Sequence, residues 1–338
     1  MGSMFMLGVW LCLLLSPFPL AFSERCHPID KKALLQLKKD FNNPYILASW
    51  DPNEDCREWY CVKCDLKTHR ITDLFIAPSV PETNFHGRIP PSVGDLTYLQ
   101  YLSFHKLFFS NKLPNLVGPI QPTIAKLTNL KYLILTNIAI SGPVPSFLAQ
   151  LKNLDTLDLS FNNLSGPIPS SLTTLPKLTF LDFSRNKLTG PVPAFGSPKK
   201  PGPSLVLSHN QLSGPIPASL ANLERIDLSR NKLEGDASIL FSKRPQHLDL
   251  SRNMFAFDLS RVKVPQNSLT WLDLNHNKIY ESIPGGLAKV ENLQVFIVSY
   301  NQLCGQIPRG GKLQTFDKYS YFQNKCLCGS PLSPCNNK

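Results

Sequence analysis

The chain has 338 residues, 42% of them hydrophobic, and its 35 Lys and Arg exceed its 24 Asp and Glu to give a formal net charge of +11. So basic a balance favours acidic partners or surfaces.

Residues 4 to 22 are apolar, contain Pro17 and Pro19, and end in Ala21, Phe22 and Ser23. The run is too short and too interrupted for a membrane span and reads as an export signal cleaved after Ser23, although only the amino terminus supplies positive charge before it. No later segment is apolar enough to span a membrane, and the ending PLSPCNNK offers no tail for a lipid anchor. The expectation is a secreted, soluble, monomeric protein with no membrane attachment, for which nucleic acid is a poor partner.

Apart from Cys12 in the signal, eight cysteines fall in two clusters: Cys26, Cys56, Cys61 and Cys64 near the start, and Cys304, Cys326, Cys328 and Cys335 near the end. Even clusters at the two ends of an exported chain predict disulfides within each cluster, with partners open. Cys61 and Cys64 have metal-knuckle spacing, but export and the lack of a matching second pair favour disulfides, so neither metal nor cofactor is expected.

Residues 24 to 70 form an expected N-terminal cap. Asp30 is placed as the cap of an amphipathic helix with Leu34, Leu37 and Phe41 on its apolar stripe, and Trp50 and Trp59 are assigned to the core.

From residue 71 to 303 the pattern of LDTLDLSFNNLSGPIP, Leu154 to Pro169, returns. Its Asn recurs at 162, 186, 210, 231, 253, 277 and 301, with spacings of 24, 24, 21, 22, 24 and 24. Such regularity defines a solenoid of about ten coils. Leu157 and Leu159 point into the core from a short strand, while Asp158 and Ser160 face out. Asn162 is expected to bond backbone groups of the bend and of the next coil, and Gly166 and Pro167 start an outward leg on which Ile168, Leu172 and Leu175 refill the interior. Stacking these coils predicts an α/β repeat solenoid, a right-handed superhelix with a concave parallel β-sheet and a convex face of 3₁₀ or irregular structure.

Two stretches depart from the repeat. Leu99 and Leu130 open successive coils 31 residues apart, and the excess lies in LFFSNK, Leu107 to Lys112, an interaction loop or an artefact such as a retained intron. SPKKPGPS, Ser197 to Ser204, replaces the apolar leg of another coil. Residues 304 to 338 form the C-terminal cap.

With these motifs the chain resembles the plant polygalacturonase-inhibiting proteins, built from extracellular leucine-rich repeats of the LxGxIP type. The resemblance runs from Cys26 to Cys335. It rests on WYCVKCD, LSHNQLSG, IDLSRNKLEGDAS, FDLSRVKVP, LNHNKIY and GGKLQTFDKYSYFQNKCLCGSPLSPC. It implies a cell-wall protein that binds fungal or insect endo-polygalacturonases through its concave face, and an inhibitor rather than an enzyme. Family members carry a second Cys directly after the one at Cys56, where this chain has Arg57.

Residue columns fit that implication. Asp158, Asp182, Asp227, Asp249 and Asp273 form an acidic column, a Ser column runs beside it, and next come Phe161, Arg185, His209, Arg230, Arg252, His276 and Tyr300. Aromatic and Arg side chains are favoured interface anchors, although the Asp positions also serve the scaffold. Thr156, Val206, His247 and Trp271 break the repeat and are the better candidates for specificity, Trp271 first. Lys199 with Lys200 and Lys243 with Arg244 are candidates for holding acidic pectin. Asn163, two residues before Ser165, is an N-glycosylation site candidate. No catalytic constellation stands outside the repeat. An ice-binding role and a peptide- or glycan-binding receptor-like role remain as alternatives.

Overall fold

The computed structural model describes residues 26–77, 87–105, 116–195 and 202–335. The export signal, the Leu107–Lys112 insertion, Lys199 and Lys200 lie outside the described residues.

Each coil contributes one short strand, and these assemble into an eleven-stranded sheet. Val62–Cys64 pairs antiparallel with Ile71–Ile76; the rest is parallel, through Tyr101–His105, Tyr132–Thr136, Thr156–Asp158, Phe180–Asp182, Ser204–Val206, Arg225–Asp227, His247–Asp249 and Trp271–Asp273 to Val295–Ile297. The pleat sends Leu157 inward and leaves Thr156 and Asp158 half exposed. Leu157, Leu159, Leu164, Ile168, Leu172, Leu175 and Leu178 are all buried, so each coil closes a layer of one continuous core.

The convex side is built of single 3₁₀ turns, among them Pro122–Lys126, Ser146–Gln150, Ser170–Thr174 and Gly285–Lys289. Between the two faces lies a second sheet that the repeat had suggested only as an outward leg. Ser141–Pro143, Asn163–Gly166, Lys187–Gly190, Gln211–Gly214, Lys232–Gly235 and Met254–Phe255 form six parallel strands. Gly166 ends its strand at φ +75°, a left-handed conformation that glycine adopts without the Cβ clash.

The Asn of each coil is buried or half-buried and holds two coils together. Asn162 Nδ2 donates to Leu159 O and Ser160 O of its own bend and to Leu135 O of the preceding coil, while its Oδ1 accepts from Ile138 N. Its side chain therefore reaches back rather than forward; the link to the next coil is its backbone N–H, which donates to Arg185 O at 3.1 Å. The ladder continues into the C-terminal cap through Asn324, which donates to Val298 O and Tyr321 O.

The Ser column also departs from expectation. Ser160, Ser184, Ser208, Ser229, Ser251 and Ser299 are 5 to 7% exposed and lie under the bend rather than on the face. At four of them the Asp two residues earlier accepts the Ser backbone N–H, as in Asp182 Oδ1 to Ser184 N at 2.8 Å, while Ser208 and Ser299 follow Val206 and Ile297 and are equally buried, so the bend itself tucks the Ser in.

At the N-terminal end the helix Pro28–Asp40 covers the first coil with Leu34, Leu37 and the following Phe41 buried. Its cap is His27, whose Nδ1 accepts from Ile29 N, because Pro28 occupies the first helical position. Asp30 is not the cap: fully buried inside the helix, it accepts from Arg70 Nε at 2.9 Å, Arg70 Nη2 at 2.8 Å and Ile71 N at 2.8 Å. Trp50 and Trp59 are buried and stacked with centroids 5.6 Å apart.

The disulfides are Cys26–Cys56, Cys304–Cys326 and Cys328–Cys335, each within its own cluster. Cys61 and Cys64 are free thiols, contrary to the expectation that all eight pair. Val62–Cys64 is an extended strand. Cys61 itself is left-handed at φ +70°, and the strand that follows carries Cys64 away from it, so the two thiols do not meet. Arg57, at the family's second Cys position, is instead bonded to Asp55 through Nε and Nη2.

Candidate functional site

The strand register sorts the concave face into columns. One runs Tyr101, Tyr132, Thr156, Phe180, Ser204, and further on Arg225, His247, Trp271, Val295. The next runs Ser103, Ile134, Asp158, Asp182, Val206, Asp227, Asp249, Asp273 and Ile297. Thr156, His247 and Trp271 thus share one column, and Val206 interrupts the acidic one.

The Asp column has a structural duty as well as a charge. Asp158 accepts from Ser160 N, Asp227 and Asp249 each accept both the N–H and the hydroxyl of the Ser two residues on, and Asp273 accepts Asn275 N and Nδ2. Burial is the largest influence on Asp182 and Asp249 and pushes each up to about 6, with the neighbouring Asp charges adding to the rise and the Ser hydrogen bonds opposing it. Asp273 is raised for the same leading reason.

The residue after each buried Ser is held in the left-handed region. Phe161, Arg185, His209, Arg230, Arg252, His276 and Tyr300 all have φ between 53 and 56°. This conformation disfavours large side chains, so the bends project Arg, His and aromatic groups at an energetic cost of about 1 kcal/mol each. Neighbours in the row interlock. The Arg185 guanidinium lies over Phe161 at 5.0 Å, and His276 stacks on Tyr300 at 4.1 Å. His209 and His276 titrate below the usual histidine range, first because of partial burial and then because of the flanking Arg charges.

His247 and Trp271 stack with centroids 5.0 Å apart. Burial, then the Arg225 charge, lowers the His247 pKa. Trp271 Nε1 is buried and finds no hydrogen-bond partner among the described residues.

The structure therefore brings every concave candidate onto the one sheet and its adjoining bends. Lys243 and Arg244 are exposed but follow the Ser238–Phe241 turn, away from the concave strands. Asn163 is exposed at the start of a strand of the second sheet, its backbone N donating to Ile140 O. Sequence reasoning missed Phe75, Tyr98, Tyr101, Tyr132 and Ile134, because it treated the first coils as irregular; aligning Leu102 and Leu133 with Leu157 places Tyr101 and Tyr132 in the Thr156 column.

Burial pushes the Cys61 thiol up to about 12 and also raises Cys64, which disfavours the thiolates a metal requires. Among the described residues no three His, Cys, Asp or Glu side chains converge as a metal site, and no helix is long and apolar enough to cross a membrane.

Known proteins give the arrangement its context. Residues 27–65 match the leucine rich repeat N-terminal domain, and 127–188, 204–223 and 268–290 match leucine rich repeats. Polygalacturonase inhibitor 2 of Arabidopsis thaliana is 60% identical over 96% of this chain and 98% of its own length. The polygalacturonase inhibitor of Vitis vinifera is 58% identical over 99% of both. Among solved structures, a plant ice-binding protein superposes with a TM-score of 0.83 and 47% identity, covering 92% of this chain and 99% of that one. The relatives match over nearly their whole length, cap to cap, and on that ground the chain belongs to the polygalacturonase inhibitor family of leucine-rich-repeat proteins.

Proposed function

We propose that this chain is a secreted cell-wall protein of plant defence that binds endo-polygalacturonases of fungi or insects through its concave face and slows pectin cleavage, without enzymatic activity of its own. One observation carries the reading: in a member of this inhibitor family, an acidic column and a row of Arg, His and aromatic side chains lie side by side on one rigid sheet. An enzyme that cleaves an acidic polymer attracts it with cations near its cleft. The Asp158-to-Asp273 column offers such cations carboxylates one strand apart, about 4.8 Å, on either side of the gap at Val206. Arg185, Arg230 and Arg252 meet acidic or aromatic groups beside that cleft, and Trp271 with His247 supplies the apolar anchor.

Three accessory features belong to the same reading. The net charge of +11 retains the protein on acidic pectin, with Lys199, Lys200, Lys243 and Arg244 as contacts. Asn163 carries a glycan at the start of its strand in the second sheet, two residues beyond Phe161. Residues 1 to 23 are removed on export, and the mature protein acts as a monomer. The test is a titration of fungal and insect endo-polygalacturonases on polygalacturonate; dose-dependent loss of activity supports the reading, and full activity at every concentration of folded protein refutes it.

The likeness to an ice-binding protein supports a second reading, in which the same scaffold adsorbs to ice. Burial of Asn162, Asn186 and Asn301 and the charge on the exposed columns speak against it. Thermal hysteresis measurements decide.

A further inference from the structure

We propose that the N-terminal end of the concave sheet is a second docking subsite for the same polygalacturonase, taking an apolar segment of that enzyme bordered by carboxylates. The proposal rests on the inhibitor reading and extends its footprint to residues outside the Asp and Arg columns.

The observation is a contiguous group of half-exposed and exposed aromatic and aliphatic side chains where the acidic column ends. Phe75, Tyr101 and Ile134 are half exposed on the strands; Tyr132, Tyr98 and Tyr60 are 39, 43 and 57% exposed. Tyr101 and Tyr132 are register partners with ring centroids 5.8 Å apart, and Tyr60 sets its edge against Phe75 at 6.5 Å. Single exposed apolar residues are ordinary, but a contiguous aromatic group on a rigid sheet marks an interaction surface. Tyr is well suited to it, because it supplies large area at little loss of conformational freedom.

Charge and position specify the occupant. Lys63 Nζ lies over the Phe75 ring at 5.9 Å, and the Arg70 guanidinium lies over Tyr98 at 3.9 Å, with half-exposed Asp73 the register partner of both Lys63 and Tyr101, so the N-terminal border of the group is charged and carries two cations to one carboxylate. Arg70 is already paired with Asp30, which leaves Lys63 as the cation available to a carboxylate of the partner. On the other side, Ile134 is the register partner of Asp158 and Tyr132 of Thr156, so the apolar group is flush with the start of the acidic column. A partner whose cations sit on Asp158 and Asp182 has its adjoining surface over Ile134 and Tyr132, one strand away. The same enzyme molecule therefore covers both.

The test uses an endo-polygalacturonase that the wild-type protein inhibits and compares inhibition constants. Tyr101→Ala combined with Tyr132→Ala is expected to weaken inhibition by about tenfold or more, as loss of aromatic anchors does, while Tyr101→Phe with Tyr132→Phe stays within about threefold. Lys63→Glu is expected to weaken it further at low salt than at high salt. Should the alanine pair fail to fold, Ile134→Asp changes one half-exposed side chain and gives the same readout. An inhibition constant within about threefold of wild type for a folded alanine pair, or for Ile134→Asp, overturns the subsite and leaves the inhibitor reading standing. Absence of inhibition by the wild-type protein itself removes both.

Discussion

The indole of Trp271 lies parallel to the imidazole of His247 at 5.0 Å between centroids, while its Nε1 has no acceptor among the described residues. A buried donor without a partner is unfavourable, and because it is buried the half-exposed ring acts through its apolar surface rather than through that N–H. Trp271→Ala is therefore expected to weaken inhibition by roughly 2 kcal/mol or more, about thirtyfold, whereas Trp271→Phe keeps the stack and loses only the donor. Inhibition constants for both variants check this.

Asn186 donates to Leu159 O, Phe183 O and Ser184 O and accepts from Leu164 N, all among buried groups. Asn186→Ala strands these backbone groups between two coils. The expected loss is about 2–4 kcal/mol of unfolding free energy, measurable in urea, with the exposed Asn163→Ala near zero as the control.

Asp182 and Asp249 have carboxyl groups raised to about 6 in the folded chain, by burial first. A carboxyl held above its unfolded value of about 4 binds its proton more tightly in the native state, so its stabilising contribution is full below about pH 4 and is lost as pH rises through 6. Asp249→Asn is expected to flatten the stability profile between those limits by about 1–2 kcal/mol. Binding runs the other way: full charge on the column requires pH above 6, so a cation-rich partner is held more weakly as pH falls toward 4. Melting and inhibition profiles against pH, wild type beside Asp249→Asn, check both signs.

Asp30 and Arg70 form a largely buried ion pair between the capping helix and the first parallel strand, with Ile71 N as the third contact. Arg70→Met leaves the carboxylate buried without its charge partner. Such a change costs about 3–5 kcal/mol, and chemical denaturation should show it, while the paired replacement Asp30→Asn with Arg70→Met recovers part of the loss.

Much of this was legible in the chain. The Leu positions and the recurrent Asn fixed the coil, because a period-two strand inside a 24-residue repeat leaves few ways to bury Leu157 and Leu159. Trp50 and Trp59 were placed in the core for their size alone, and they stack there. What the repeat left hidden depended on contacts between coils or ends. The acceptors of Asn162 lie partly in the preceding coil, and Ser160 is buried in a bend whose form depends on the stacked coils. Asp30 looked like a cap; its partner Arg70 is forty residues away. Connectivity in the cysteine clusters needed the fold, since Cys304 and Cys326 meet only when their strands pair. The concave columns were legible from Thr156 onward, but the Tyr101 and Tyr132 pair was lost beside the irregular first coils.

The central claim is that the concave face, and not another surface, binds a polygalacturonase. Its most direct measurement is the affinity of the mature chain for an inhibited endo-polygalacturonase, compared among wild type, Arg252→Ala on the face and Lys243→Ala off it. Binding weakened about tenfold by Arg252→Ala and unchanged by Lys243→Ala is the predicted result. Equal binding by all three, or loss only in Lys243→Ala, would contradict it.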